Sequence, residues 1–371
     1  MIPYFLVFGI LVFFSIFEIA GADKSLRFWA ALCAVILILL FAGLRNSETG
    51  PDSDRYITAF LNAPDVLGWL TGSFEYSYST LKMEPLYILL NSIIKLFTDN
   101  YIWLFLVVAA IAVSVNSYHY FKYSPYVILS LILYFSHSFL GKEMNQIRAG
   151  LASAIALFSI EYMYRKKFFK FSCVIGLASL FHFAALLLFL GYIVNFLDLK
   201  KRTLYIILAV SLLIGLIGVS PWLIQYLPDI GVMSQKIQTF YESEKYGSAL
   251  GIFDITNIKL LFFSALLIYF KDVLQNRSPY YKVMLYLYLL GTVWRVAFSD
   301  FSIFAARIAT FFTIVEVILL PFLVTAIRRR IFAYCLLLAY AFSTLYLNLY
   351  VAKGGEYLYK TSIDILEWLR M

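Results

Sequence analysis

Charge is scarce in this chain. Asp, Glu, Lys and Arg make up 14% of its 371 residues, against 62% hydrophobic ones. No polar stretch is long enough for a separate water-soluble domain, so residues 1–371 read as a single integral membrane domain. Cysteine is equally rare. Cys33, Cys173 and Cys335 lie inside apolar runs, without metal-site spacing and without the density of a disulfide framework. Also missing are a nucleophilic triad, a P-loop and a dinucleotide fingerprint. The carboxylates are too scattered for a divalent-metal site, so neither metal nor cofactor is expected. There are no internal repeats and no low-complexity tracts. Residues 2–17 are apolar, but no basic region precedes them and no A-x-A site follows, so they read as a membrane helix rather than a cleavable signal. The net charge of +8 sits mostly in short loops, where lysine and arginine set topology, so nucleic acid is not an expected partner.

What the chain does have is long apolar runs. They cover roughly 2–20, 28–44, 101–119, 126–141, 147–164, 169–181, 183–197, 203–219, 257–270, 281–297, 305–327 and 331–350. The expected fold is an all-α polytopic membrane protein of about 12 transmembrane segments. Basic clusters at Arg165–Lys170, Lys200–Arg202 and Arg328–Arg330 fall on one side, which the positive-inside rule makes the cytoplasm, with both termini outside. Two segments then cannot be simple spans. Residues 84–98 read as a re-entrant or interfacial helix within an external segment, because a full span there would put Arg165–Lys170 outside. The run 169–197 begins and ends with basic signals, so it reads as two short helices meeting at His182. Broken segments of this kind survive in a membrane only where they line protein or water. The long external loops 45–100 and 220–256 are expected to cover a cavity, with the amphipathic stretch 235–247 as a surface lid.

The polar residues gather at the external ends of the runs. Arg45, Asp52, Asp54, Arg55 and Tyr56 lie in GLRNSETGPDSDRY, just past a membrane run. That loop reads either as a solvated turn or as a site at the membrane edge. Glu84 precedes Pro85, as acids often do at a helix start; held at the membrane edge, its carboxyl would be a usable base. Arg148 opens a helix rich in small residues, at an external end, against the positive-inside bias. It either snorkels or faces the bundle, and bundle-facing charges in membranes mark function. His182 stands at an apolar turn, as a cap or as an acid–base group. Arg295 and Arg307 flank the turn between two runs and Asp300 lies within it, as ligand contacts or as an Asp–Arg lock. Arginine recognises phosphate bidentately and keeps its charge, so an outward-facing arginine cavity suits a lipid-linked diphosphate.

The order of these motifs is familiar. Arg45, then Gly50-x-Asp52-x-x-x-Tyr56, Glu84-Pro-x-Tyr87, Asn145-x-x-Arg148 with Ala152, His182 and Arg307-Ile308 together resemble the EpsG-like branch of the Wzy-type bacterial polysaccharide polymerases, from about residue 41 to 321. Many relatives carry glutamine after the motif arginine, whereas Ala149 follows here. The resemblance implies a GT-C-like glycosyltransferase bundle in the bacterial inner membrane, working on the periplasmic or outer face without a metal. It implies transfer of a growing glycan from undecaprenyl diphosphate to the terminal sugar of a lipid-linked repeat unit. Undecaprenyl-diphosphate oligosaccharides, the lipid bilayer and a chain-length regulator are the implied partners. Arg45, Arg55, Asp54, Tyr56, Arg148, Arg295, Asp300 and Arg307 would bind diphosphate or sugar, and Glu84, His182 or Asp52 would serve as the base. A flippase of lipid-linked saccharide shares the span count, but would be expected to show pseudo-repeats. An O-antigen ligase or other GT-C enzyme shares the arginines. A membrane scaffold would not need them.

Overall fold

The computed structural model describes residues 1–72, 83–226, 239, 241–242, 249–352 and 357–362. In chain order the first helices are α1 (Ile2–Ile19), α2 (Lys24–Gly43), α3 (Ser53–Leu61), α4 (Val66–Thr71), α5 (Pro85–Lys95), α6 (Tyr101–Tyr123) and α7 (Val127–His137). There follow α8 (Phe139–Lys142), α9 (Ile147–Ala156), α10 (Ser159–Tyr164), α11 (Phe168–Ser179), a 3-10 turn (Phe183–Leu187), α12 (Leu188–Val194), α13 (Lys201–Ile217) and α14 (Ser220–Gln225). The last are α15 (Ile255–Tyr269), α16 (Lys271–Gln275), α17 (Tyr281–Ala297), α18 (Ser302–Thr313), α19 (Glu316–Ala326) and α20 (Arg330–Leu347). Among the described residues the only extended pairing is one isolated bridge, between Arg45 and Thr361. The chain divides into two compact units. One holds Met1–Ser159, Phe169–Ala185 and Ile327–Met371; the other holds Ile160–Phe168 and Leu186–Ala326.

The helical, membrane-embedded class expected from composition is what the chain adopts. Among the described residues, four helices are long and apolar enough to cross a bilayer: Ile2–Ile19, Lys24–Gly43, Tyr101–Tyr123 and Arg330–Val351. The pair α18 and α19, bent by 56° at a short break, makes a fifth if counted as one span. The remaining apolar runs form shorter or interrupted helices. The run at 126–141 breaks at Ser138, and that at 147–164 at Leu157–Phe158. Hydropathy alone does not register such breaks, because the residues at them are still mostly apolar. The segment expected to be re-entrant is α5, whose 11 residues rise only about 16 Å against a hydrocarbon core of about 30 Å. The run through His182 does break there: α11 ends at Ser179, a turn follows, and the 3-10 turn begins at Phe183. Of the expected lid, 235–247, all but Thr239, Tyr241 and Glu242 lies outside the described residues.

In the first unit, α1, α2, α6, α7 and α20 pack together. A carboxylate sits among them: both Glu18 oxygens accept backbone N–H groups, from Ile128 and Leu129, and Oε2 also accepts the Tyr334 hydroxyl. Glu18 thereby satisfies the first turn of α7, whose N–H groups have no partner within the helix. The segment after the last long helix returns to the loop that follows α2. Asn46 N–H donates to Lys360 O, Ser362 N–H donates to Leu44 O, and Tyr359 stacks on Phe41 with ring centroids 4.1 Å apart. Beneath α3 and α5 lies an apolar cluster that includes Tyr56, Phe60, Tyr87, Phe105, Ile147 and Leu151. In the second unit α17 packs against α13, α15 and α18. The approach to α13 is close enough that a Cβ on Gly215 would fall 2.3 Å from Val296 O.

Candidate functional site

The motif loop 45–56 is docked on the connection between α8 and α9. Gly50 has φ +97°, and a Cβ there would stand 2.0 Å from Met144 O, so only glycine fits. Two residues on, Asp52 N–H donates to Asn145 Oδ1 at 3.0 Å. Arg45 Nη1 donates to Glu143 O and Ala42 O, each at 2.9 Å. Three rungs thus join one motif segment to the other, and they bring Tyr56 on α3 up to Arg148 on the first turn of α9.

Arg148 is the centre of the site. It forms an ion pair with Glu84, the residue just before Pro85 at the first position of α5. Its guanidinium carbon lies 6.0 Å from the ring centroids of both Tyr56 and Tyr87, and those rings meet edge to face at 5.8 Å. Glu84 does not cap its own helix. Its Oε2 faces Arg148 and its Oε1 accepts Phe183 N–H at 3.2 Å, so one carboxylate joins α9 to the turn that carries His182. That turn is held twice more: Leu86 N–H donates to Leu180 O, and His182 Nδ1 accepts Ala184 N–H at 3.2 Å. Trp69 Nε1–H donates to Pro85 O and pins the start of α5. Arg148 and Glu84 side chains are about one-fifth exposed. Burial raises the Tyr56 phenol pKa, which keeps that group neutral beside the arginine.

Asp52, Asp54 and Arg55 lie at the wetter edge. Asp52 and Arg55 face each other at 3.8 Å, and Arg55 is largely exposed. Arg45 is elsewhere than its place in the motif implies. It is 1% exposed, with its guanidinium carbon 4.0 Å from the Phe105 ring centroid. Burial lowers its pKa to about 10, still charged at neutral pH. Arg45 therefore braces the loop from beneath. Beside it, Lys142 at the end of α8 and Glu143 just after it are also buried; desolvation pushes the Glu143 carboxyl up to about 7 and the Lys142 amine down.

The second unit carries its own charges. Arg295 pairs with Asp254 at 3.0 Å. Asp300 accepts Ser220 N–H at 2.8 Å and the Ser220 hydroxyl at 2.6 Å, at the start of α14. The Asp–Arg lock considered for the 295–307 turn is therefore not formed by Asp300: helix starts supply nearer partners to both Asp300 and Arg295. Arg307 is exposed on α18. Three charges here were not singled out from the sequence: Asp254, and the pair Lys259–Glu316 at 3.2 Å with Glu316 1% exposed. Lys259 and Glu316 are charges inside apolar runs, a signal that could have found them.

These observations define a helical integral membrane protein with an acid–arginine site built from loop, short-helix and broken-helix segments. Residues 28–361 match the model of the EpsG family, and the chain belongs to that family, as its motif order indicated. It is 28% identical over 356 residues to the amylovoran biosynthesis protein AmsC of Erwinia amylovora, 94% of each chain being covered. No solved structure matches it.

Proposed function

We propose that this chain is a membrane polysaccharide polymerase that moves a growing glycan from undecaprenyl diphosphate to the terminal sugar of an incoming lipid-linked repeat unit, without a metal. The observation that carries this is the junction at which Glu84 is shared between Arg148 and the His182 turn, under Tyr56 and Tyr87. Family membership and similarity to a protein of amylovoran biosynthesis support the same reading. The site faces the periplasm or exterior of the bacterial inner membrane. The proposal includes one GT-C-like domain of about 12 transmembrane segments with short broken or re-entrant helices, a chain-length regulator as a partner, and loops 45–100 and 220–256 as the cover of the cavity.

The chemistry follows from the residues. The acceptor hydroxyl oxygen attacks the anomeric carbon of the donor glycan. The new C–O bond forms as the bond to diphosphate breaks, and the diphosphate leaves with the electron pair. Arg148 receives it through parallel N–H donors and stays charged throughout. Binding diphosphate draws Arg148 away from Glu84, and the released carboxylate takes the acceptor proton. His182 ranks second as base, because its Nδ1 lone pair already accepts Ala184 N–H. Asp52 ranks third and orients, with Asp54 and Arg55, the sugar at the loop edge. Arg295, Asp300 and Arg307 are further residues proposed to contact saccharide or diphosphate.

The test is purified protein with defined lipid-linked repeat units. A ladder of polymer formed with neither nucleotide sugar nor divalent metal is expected. Transfer of intact lipid-linked units across vesicles without a ladder would replace the polymerase by a flippase.

A further inference from the structure

The second unit contains an apolar cavity of about 150 Å³, between the end of α12 with the chain after it and the helices α13 and α17, lined by the half-exposed Leu197 and by Leu199, Leu204, Leu208, Tyr286 and Leu289 among others. Its wall is almost wholly apolar. The volume is about five times the ~30 Å³ that a water molecule occupies in the liquid, room for a stretch of hydrocarbon chain. Leu204 and Leu208 lie three and seven residues into α13, only about 5–11 Å along the helix from Lys201. The cavity therefore sits just inside the basic end of these helices.

Two cations touch the lining, Lys271 and Lys282, and three more, Lys200, Lys201 and Arg202, stand at the start of α13. Lys282 Nζ lies 5.5 Å from the Tyr286 ring centroid and 3.2 Å from Asp198. Lys271 Nζ donates to Leu199 O at 2.6 Å, and Leu199 N–H donates to the Tyr286 hydroxyl at 3.0 Å. Lys201 pairs with Asp272 at 2.7 Å, while Lys200 and Arg202 are exposed on either side of it. Counted together, the five cations (Lys200, Lys201, Arg202, Lys271, Lys282) and two acids (Asp198, Asp272) of these connections carry a formal +3. None of these residues belongs to the acid–arginine site.

We infer that this slot binds an anionic membrane phospholipid, one acyl chain entering between α13 and α17 and the phosphate resting on Lys200, Arg202 and Lys282. Apolar wall and basic rim together select that chemistry. A zwitterionic lipid offers the same chain with no net charge for the rim, and each basic side chain near an anionic surface corresponds to about a fivefold gain.

The test is native mass spectrometry of the full chain, delipidated and re-exposed to equal dioleoyl phosphatidylglycerol and dioleoyl phosphatidylcholine. Wild type should retain phosphatidylglycerol at least tenfold over phosphatidylcholine. Leu289→Trp, which fills the slot, should abolish that preference. The surface double variant Lys200→Gln/Arg202→Gln, which leaves the apolar packing untouched, should lower phosphatidylglycerol retention at least fivefold. Equal retention of the two lipids by wild type overturns the inference, as does unchanged preference in either variant. Stronger retention of a polyprenyl phosphate in direct competition would overturn the phospholipid as occupant.

Discussion

Arg45 and Arg148 are both motif arginines of the first unit, yet their surroundings assign them different work. Arg45 spends Nη1 on two backbone carbonyls and lies over Phe105, so its charge is sealed in. Arg148 is bound to a carboxylate that an anion can replace. Lysine keeps charge but lacks the fork, so Arg148→Lys should lose most polymerisation, a fall of about 10²-fold or more in rate of the kind a lost transition-state donor gives, with unchanged thermal unfolding. Near-normal ladders from that variant would remove Arg148 from the reaction. Glu143 supports a second prediction. Its folded-state carboxyl pKa is raised by burial to about 7, so the native state favours the protonated form. The stability it contributes is full below the unfolded carboxylate range and is lost as pH rises toward 7. Melting temperature of the solubilised wild type should therefore fall relative to Glu143→Gln between pH 5 and 7. Parallel curves for the two proteins would show that Glu143 does not titrate there.

At the scale of elements, the site depends on how two connections meet. The loop 45–56 reaches the α8–α9 connection through Gly50, Asp52 and Arg45, and that contact sets where Tyr56 stands relative to Arg148. Gly50→Ala introduces a Cβ 2.0 Å from Met144 O at a φ that L-residues seldom adopt. Backbone strain alone costs about 1–3 kcal/mol at such positions, and the clash adds to it. The variant should unfold at lower temperature and lose most activity, whereas Gly9→Ala on α1, with nothing within 4 Å of the added Cβ, should do neither. Activity surviving in Gly50→Ala would mean that the docked loop is not needed for turnover. The interrupted helices serve the same end: α5 is too short to span, and its N-terminus is what delivers Glu84.

For the whole molecule, the outstanding property is orientation. Basic connections at 165–170, 198–202 and 328–330 are expected in the cytoplasm, and the loop at 45–56 outside. Cys33, Cys173 and Cys335 are exposed on the protein surface, so they must first be replaced. In that background a cysteine at Lys167 should react with an impermeant maleimide only after the membrane is opened, and one at Ser47 should react in intact cells. Labelling of position 167 from outside would reverse the topology and put the acid–arginine site in the cytoplasm.

Much of this was legible in the residues. The membrane class, the break at His182, the non-spanning α5 and the ordered motifs follow from composition, periodicity and local turn chemistry, all of which are properties of neighbouring residues. Partners could not be read that way. Nothing within a few positions of Glu84 names Arg148, 64 residues away, as its counter-ion, or Phe183 N–H as its second partner. Likewise Arg295 had Asp300 five residues off but pairs with Asp254. Arg45 looks like an exposed edge charge until α6 places Phe105 over it and the α8–α9 connection closes beneath it. Burying a charge in a membrane requires a partner at hydrogen-bond distance, and only the packing of distant helices decides which group arrives there.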